Sequence, residues 1–236
     1  HQLIKKCFFL IEAWRFKTYQ MVISNADLII SVSTTDANYL QKEFSGNHIE
    51  FIPCFHANEQ ITVQPGKSDF ILYHGKLSVV ENERAALYLI HNVFCKLSNP
   101  CILAGMNPSQ KLLAAAAIYP NITIEANPSD ERMDFLIHEA QINMLITFQD
   151  TGLKLKLLNS LFAGRHTVVN RLMLAGSGLD SLCCIADTPE EMIHACNNLM
   201  NVPLDESAII QRRKLLEPFF SNKYQGSRLY KMIYEE

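Results

Sequence analysis

The sequence lacks the cysteine and histidine patterns that define several protein classes. Its seven cysteines are an odd number with no C-x-x-C pair, and Cys183 and Cys184 are adjacent within an apolar stretch. This distribution is typical of reduced thiols in a cytoplasmic protein, and it argues against a disulfide framework. The eight histidines form no H-x-x-x-H pattern and no cluster with cysteines. We therefore expect no metal site.

Charged residues and long apolar runs are also scarce. Charged side chains make up 19% of the chain, below the roughly 25% of an average globular domain, which favours buried parallel strands or a covered interface. The net charge is −3 and no long basic stretch is present, so we expect no nucleic-acid partner. No run is long and apolar enough to span a membrane. The glycine fingerprint of dinucleotide-dependent oxidoreductases is missing as well.

What the sequence does contain is an alternation of apolar strands and helices. From residue 69 onward, short apolar runs are separated by helical patterns and turn residues, which predicts a doubly wound α/β domain with a parallel sheet. In that architecture ligands bind beyond the carboxyl ends of the strands. The predicted strands are 70–74, 101–104, 122–125, 142–146, 167–170 and 183–186. The predicted helices are 82–97, 108–118, 130–140, 153–163, 172–179, 189–200 and 206–234, the last with a break near Pro218.

The stretch 147–170 carries the clearest candidate site. Thr151 is a suitable cap for the helix 153–163, and we expect Gly164 to end that helix in a left-handed conformation. Gly152, Lys156 and Asn159 share one face, separate from the leucine face. A helix N-terminus with lysines in its first turn is suited to binding a phosphate. The alternative is a buried crossover helix with two solvated lysines.

Several segments resemble the retaining glycosyltransferases of the GT-B fold, family 4. Gly164 and the strand Thr167–Val169 are similar to the end of the donor-site segment of that family. Residues 25–33, NADLIISVS, are similar to a strand near the end of its N-terminal domain, and 73–77, YHGKL, to the start of its C-terminal domain. The chain departs from the family in three places. Thr151 and Asn159 stand where glutamates are expected, and Glu81-Asn82 stands where many members carry a phosphate-binding lysine.

The resemblance implies the domain organisation of a GT-B-like chain. Residues 1–60 would be the end of an N-terminal, acceptor-side Rossmann-like domain, with predicted helices 2–24 and 34–44 and predicted strands 28–32 and 49–52. The polar stretch 61–68 would be a linker, and 69–236 the C-terminal domain that binds the nucleotide-sugar donor. Because the chain begins at His1 and shows no signal-peptide pattern, we expect that an N-terminal portion is missing.

The function implied is that of a hexosyltransferase-like enzyme of polysaccharide biosynthesis. It would transfer a sugar, with retention, from a nucleotide-activated donor to a saccharide or lipid-linked acceptor, and it would need no cofactor besides the donor. The missing glutamates favour an alternative, a catalytically degenerate subunit that binds a nucleotide or a partner. No residue is predicted to be catalytic. The residues predicted to bind the donor are Gly75, Lys76, Asn127, Thr151, Gly152, Lys154, Lys156 and Asn159.

Two further features have competing interpretations. His74 and His166 lie beside strand ends, where an acid–base role is conceivable, but a hydrogen-bonded structural role is favoured. The first helix places lysines beside Phe8, Phe9 and Trp14. We interpret it as a crossover helix packed on a sheet. The alternative is a peripheral contact with the inner face of a membrane, since acceptors in this family are often lipid-linked. Either way the predicted location is cytoplasmic.

Overall fold

The computed structural model describes residues 2–149 and 155–234, and the chain divides into two compact units, 1–53 and 54–236. The division falls before the predicted linker 61–68. Ile61 and Val63 are buried in a core cluster of the second unit. The backbone N–H of Thr62 donates to the carbonyl of Phe162 at 3.0 Å. These residues therefore belong to the second unit, and the acceptor-side role of the first unit stays a prediction.

The first unit is built around two parallel strands, β1 (Leu28–Ser31) and β2 (His48–Phe51), with Leu28 opposite His48. Helix α1 (Gln2–Gln20) precedes them, followed by a 3-10 turn, Met21–Asn25, and helix α2 (Thr34–Glu43) connects them. The hydroxyl of Ser33 caps α2 by accepting the N–H of Asp36 at 3.0 Å. Serine is among the residues preferred at this position of a helix.

Within the first unit, helix α1 does not pack on the sheet of β1 and β2, contrary to the preferred interpretation. Its apolar side chains are largely exposed, with Leu3 at 78% and Trp14 at 68%. Periodicity marks which residues can share a face but does not say what covers them. None of the described helices is both long and apolar enough to cross a bilayer.

The second unit contains a six-stranded parallel sheet in the order β5-β4-β3-β6-β7-β8. The strands are β3 (Ile71–His74), β4 (Cys101–Gly105), β5 (Ile122–Ala126), β6 (Ile142–Leu145), β7 (His166–Val169) and β8 (Cys184–Ile185). The helices are α3 (Val80–Asn92), α4 (Gln110–Ala116), α5 (Asp130–Glu139), α6 (Leu155–Ala163), α7 (Arg171–Leu174), α8 (Pro189–Leu199), α9 (Glu206–Phe220) and α10 (Asn222–Tyr234). This architecture confirms the predicted doubly wound α/β fold.

Each strand contributes apolar residues to both faces of this sheet, because neighbouring side chains of a strand point in opposite directions. Ile71 and Tyr73 pack with α3, α4 and α8, whereas Leu72 packs with α5. Val168 and Val169 divide between the two faces in the same way, with α6 and α9 on the side of Val169. A sheet buried on both faces explains why its strands are continuous apolar runs.

The structure confirms one detail of the prediction and corrects two others. The break predicted near Pro218 lies at Ser221, three residues after the proline. The helix predicted at 172–179 ends at Leu174, since Gly176 and Gly178 adopt left-handed φ angles of 71° and 69°. Gly164 is not left-handed. A Cβ at Gly164 would lie 2.2 Å from Nδ2 of Asn143, so its need for glycine is close packing of α6 on β6.

Candidate functional site at the carboxyl edge of the sheet

The strand order places a topological switch point between β3 and β6. From β3 the chain proceeds outward through β4 and β5, and from β6 it proceeds in the opposite direction through β7 and β8. The connections after β3 and β6 therefore leave the sheet on opposite sides, and a crevice opens at their carboxyl ends. Residues that follow β3 and begin α6 border this crevice.

The loop after β3 is packed tightly on the end of β4. A Cβ at Gly105 would lie 1.8 Å from the carbonyl oxygen of Gly75, a distance that no side chain tolerates. The N–H of Gly75 donates to Ala104 at 3.1 Å, and the N–H of Ser78 donates to Met106 at 3.1 Å. These contacts fix the backbone at Gly75 and leave the side chain of Lys76 exposed.

Lys156, in the first described turn of α6, reaches across to the start of α3. Its Nζ donates to Oδ1 of Asn82 at 3.1 Å and lies 5.2 Å from the ring centroid of Tyr73. Asn82 in turn donates to the carbonyl of Lys76 at 3.1 Å, and its own carbonyl accepts the hydroxyl of Tyr73 at 3.1 Å. A half-buried ammonium group is thereby held between the loop after β3 and the beginning of α6.

His74 is the last residue of β3 and follows Tyr73, the aromatic residue that contacts Lys156. Its Nε2 is 3.2 Å from Oγ of Ser160, and its side chain is buried. Burial, and to a lesser extent the charge of Lys156, lowers the pKa of His74 to about 3. The imidazole is therefore neutral at physiological pH and joins β3 to α6. This agrees with the favoured structural role, as does the bond between Nε2 of His166 and the carbonyl of Val202 at 2.8 Å.

The opposite end of α6 is fixed by a buried arginine. The guanidinium of Arg212, on α9, donates to the carbonyls of Leu161, Gly164 and Arg165. These are carbonyls at the C-terminus of α6, where the helix dipole favours a positive charge. Burial lowers the pKa of Arg212 to about 10, so it stays charged at neutral pH. Anchoring this end holds the orientation of the helix that carries Lys156.

Asn159 is hydrogen-bonded to the first residues of the second unit, 54–60, which we call the connector. Nδ2 of Asn58 donates to Oδ1 of Asn159 at 2.9 Å. Lys156, Asn159 and Ser160 are spaced three and four residues apart, so they share the face of α6 that is directed towards the end of β3. Asn159 thus stands between the cation on one side and the connector on the other.

Asn127 follows β5 and closes the loop after β4. Its backbone φ is 54°, and its Oδ1 accepts the backbone N–H of Asn107 at 2.7 Å. Asn107 is itself left-handed, with a φ of 51°. Asparagine tolerates this conformation better than most residues. The side chain of Asn127 therefore organises the loop, and its contact with a ligand stays a prediction.

The structure brings together four of the predicted donor-binding residues, Gly75, Lys76, Lys156 and Asn159, around the end of β3. Asn127 lies along the same carboxyl edge, two strands away. Three others, Thr151, Gly152 and Lys154, lie outside the described residues.

The sequence interpretation missed Asn82, Ser160 and Asn58 as members of this site. Ser160 could have been found, since it lies one helical turn after Lys156. Asn82 was noted only because Glu81-Asn82 stands where many members of the similar family carry a phosphate-binding lysine. Asn58 and Asn159 are 101 residues apart, and a single sequence contains no signal for that contact.

The cysteines and the described carboxylates add no second chemical site. All seven cysteines are free of disulfides, and Cys183 and Cys184 are partly buried. Burial raises the pKa of the Cys183 thiol to about 12, which makes it a poor nucleophile. Within 2–149 and 155–234, no group of three or more histidine, cysteine, aspartate or glutamate side chains could hold a metal ion.

Comparison with known proteins shows the fold. No family model and no curated protein matches the chain. Among solved structures, the apo structure of OtsA gives a TM-score of 0.70 at 10% identity, covering 92% of this chain and 62% of that chain. A glycosyltransferase from Rickettsia africae ESF-5 gives 0.69 at 12% identity, covering 93% and 67%. The pneumococcal O-GlcNAc transferase GtfA, in complex with UDP and GlcNAc, gives 0.61 at 12% identity, covering 89% and 46%.

These matches define the class of fold to which the chain belongs. It has the α/β fold of GT-B glycosyltransferases, as the sequence predicted. The chain spans about half to two thirds of the length of these structures. Membership of family 4 in particular stays a prediction.

Proposed function

We propose that the second unit binds the nucleoside diphosphate of a sugar donor at the carboxyl edge between β3 and β6. The chain would act in glycosyl transfer, with retention, from a nucleotide-activated sugar to a saccharide or lipid-linked acceptor. In such a reaction negative charge grows on the leaving diphosphate as the glycosidic bond to it breaks. Positive groups fixed near that diphosphate therefore accelerate the reaction.

The observation that carries this proposal is the position of Lys156. Its Nζ is held by Asn82 and Tyr73 at the switch point of the sheet, which is where doubly wound folds bind ligands. A phosphate could exchange into this position by replacing the neutral amide of Asn82 as hydrogen-bond acceptor, because a charged acceptor is the stronger partner. Lys76, an exposed residue in the loop after β3, adds a second positive charge.

The structural matches support the same assignment. GtfA was solved with UDP and GlcNAc, and another match is a trehalose-phosphate synthase described as UDP-forming. These ligands belong to those proteins. We propose UDP and GDP as the first candidates for this chain, with the acceptor bound outside the residues discussed above. That the reaction requires no cofactor besides the donor stays a prediction.

A second candidate is a subunit that binds a nucleotide without transferring a sugar. It is favoured by Asn159, which stands where the family has a glutamate and whose amide oxygen is already occupied by Asn58. An amide cannot supply the charged hydrogen bond of a carboxylate. Donor binding would then persist while turnover is lost.

A thermal-shift screen with UDP, GDP, CMP and their sugars tests the binding proposal. A ligand at 100 times its Kd stabilises the folded state by roughly 2.7 kcal/mol, which is readily measured. We expect UDP or GDP to stabilise the protein, and NAD to have no effect. Equal melting temperatures with and without every nucleotide would contradict the proposal.

The nucleotide sugar that stabilises the protein most is then used to distinguish sugar transfer from donor binding alone. The full-length protein is incubated with that donor and with saccharide and lipid-linked acceptors, and sugar transfer is followed with a radiolabelled donor. Product that depends on both substrates supports the enzyme. Tight donor binding without product supports the binding subunit.

A further inference from the structure

The connector at the start of the second unit is anchored at a fixed place beside α6. The ring of His56 packs on Phe162, with centroids 4.8 Å apart. Its Nε2 lies 2.8 Å from the carbonyl of Phe220, and Asn222 bonds the His56 backbone on both sides. This anchoring holds the following residues of the connector against the helix that carries the candidate site.

The histidine also orients Asn58 directly. The backbone N–H of Asn58 donates to Nδ1 of His56 at 3.3 Å. Since Nδ1 accepts, Nε2 must carry the proton and donate to Phe220. Burial lowers the pKa of His56, which favours the neutral ring that this arrangement requires. Asn58 is thus placed by a chain of contacts that begins at the junction of α9 and α10.

Asn58 in turn forms a hydrogen bond with the oxygen of the Asn159 amide. Nδ2 of Asn58 donates to Oδ1 of Asn159, which leaves the Nδ2 group of Asn159 as the other polar group of that amide. Among the described residues this Nδ2 donates no hydrogen bond, and the side chain is half-buried. With its oxygen directed to Asn58, the Asn159 amide directs its two N–H donors away from Asn58, where a ligand can accept them.

We propose that Asn58 is a positioning residue that turns the Asn159 amide so that its Nδ2 donates to a hydroxyl oxygen of the donor ribose. This inference rests on the proposed function. A lone glutamate at position 159 would instead accept a hydrogen bond from that hydroxyl. The Asn58–Asn159 pair therefore recognises the ribose by donating a hydrogen bond to its hydroxyl, where a glutamate would accept one. The pair carries no charge.

The orientation of the two amides is tested first by NMR on wild-type protein labelled with 15N-asparagine. The two side-chain signals are assigned from the Asn58→Asp and Asn159→Asp variants. In the free protein we expect the Nδ2 protons of Asn58 to exchange more slowly with solvent than those of Asn159. Addition of UDP, or of GDP if it binds more tightly, should shift the Asn159 signal. Slow exchange at Asn159 with no shift on binding would overturn the inference.

Ribose recognition is tested by calorimetry with the same nucleotide and its 2′-deoxy and 3′-deoxy forms. Because a neutral hydrogen bond contributes modestly, Asn58→Ala should weaken nucleotide binding by about two- to tenfold. The preference for the ribonucleotide over one deoxy form should fall towards one, as in Asn159→Leu. A purely structural role would weaken all three ligands equally and would overturn the inference.

The Asn58→Asp variant keeps the shape and adds an acceptor that should capture Nδ2 of Asn159. We expect the Asn159 protons to become slow to exchange and to stop responding to ligand. If wild type binds nucleotide and the Asn58 variants match it in affinity and preference, the inference fails while the proposed function stands. If wild type binds neither UDP nor GDP, both fail.

Discussion

Replacing Lys156 by methionine removes the ammonium group at the switch point while keeping an apolar stem over Tyr73. A hydrogen bond to a charged group contributes about 1.5–3 kcal/mol, and about 1.4 kcal/mol corresponds to a tenfold change in affinity. Lys156→Met should therefore weaken UDP or GDP binding by roughly 10- to 150-fold. The fold should be retained, since the chain length and apolar contacts of the side chain are preserved.

The assay is isothermal calorimetry at low and at physiological salt. Lys96→Met serves as the matched control, because Lys96 is an exposed lysine of the same unit, in the 3-10 turn Phe94–Lys96 that precedes β4. It changes the net charge equally and lies before the amino end of β4, at the edge of the sheet opposite the crevice. Part of the loss in Lys156→Met should persist at the higher salt, since half-buried pairs are screened less than exposed ones. Equal affinities of the two variants would refute the placement of the diphosphate beside Lys156.

Three further predictions concern the framework of the site. Gly105→Ala should destabilise the second unit by about 1–3 kcal/mol or more, because its Cβ meets the backbone of the loop after β3. Gly226→Ala, whose Cβ would meet nothing nearer than Cε1 of Phe55 at 4.0 Å, is the control within the same unit in denaturant unfolding, and equal losses would contradict the packing. Leu161→Ala should cost about 2–5 kcal/mol, since this side chain of α6 is fully buried, and a loss below 1 kcal/mol would exclude it from the core. The folded-state pKa of His74, about 3, lies below the ordinary histidine value of 6.5, so the unfolded chain binds the extra proton between those values. Stability from this group is fully present above pH 6.5 and falls as the pH drops towards 3, and His74→Asn should flatten this part of the stability–pH curve.

The sheet and its helices could be predicted because strands that are buried on both faces consist of continuous apolar residues. Strands such as Ile142–Leu145 are wholly apolar except for Asn143, and helices between them carry turn residues at their ends. The break at Ser221 and the early end of α7 could not be predicted to the residue. Pro218 is tolerated inside α9, and the φ angles of the glycines after α7 depend on the surrounding structure.

The candidate site was only partly predictable, because its contacts join distant parts of the chain. Lys156 and Asn159 were suggested by helical spacing and by resemblance. Their partners Asn82 and Asn58 lie 74 and 101 residues away. Such pairs form only when the sheet order brings β3 beside β6 and the connector folds along α6. Neither contact follows from local propensity.

The packing of α1 shows a second limit of the sequence. Its apolar residues correctly predict a helix, yet Leu3, Phe9 and Trp14 are exposed in the described structure. Helical periodicity is a local property, whereas the surface that covers a helix is set by the rest of the fold. The alternative interpretation, a contact of this helix with a membrane, therefore stays a prediction.

The proposed function requires a nucleoside diphosphate at the carboxyl edge between β3 and β6. A crystal structure of the protein with UDP or GDP, whichever stabilises it more, would locate this ligand. We expect a phosphate oxygen within hydrogen-bond distance of Nζ of Lys156, beside the loop that begins at Gly75, with the ribose against Asn159. A nucleotide bound at the opposite edge of the sheet, or away from α6, would contradict it.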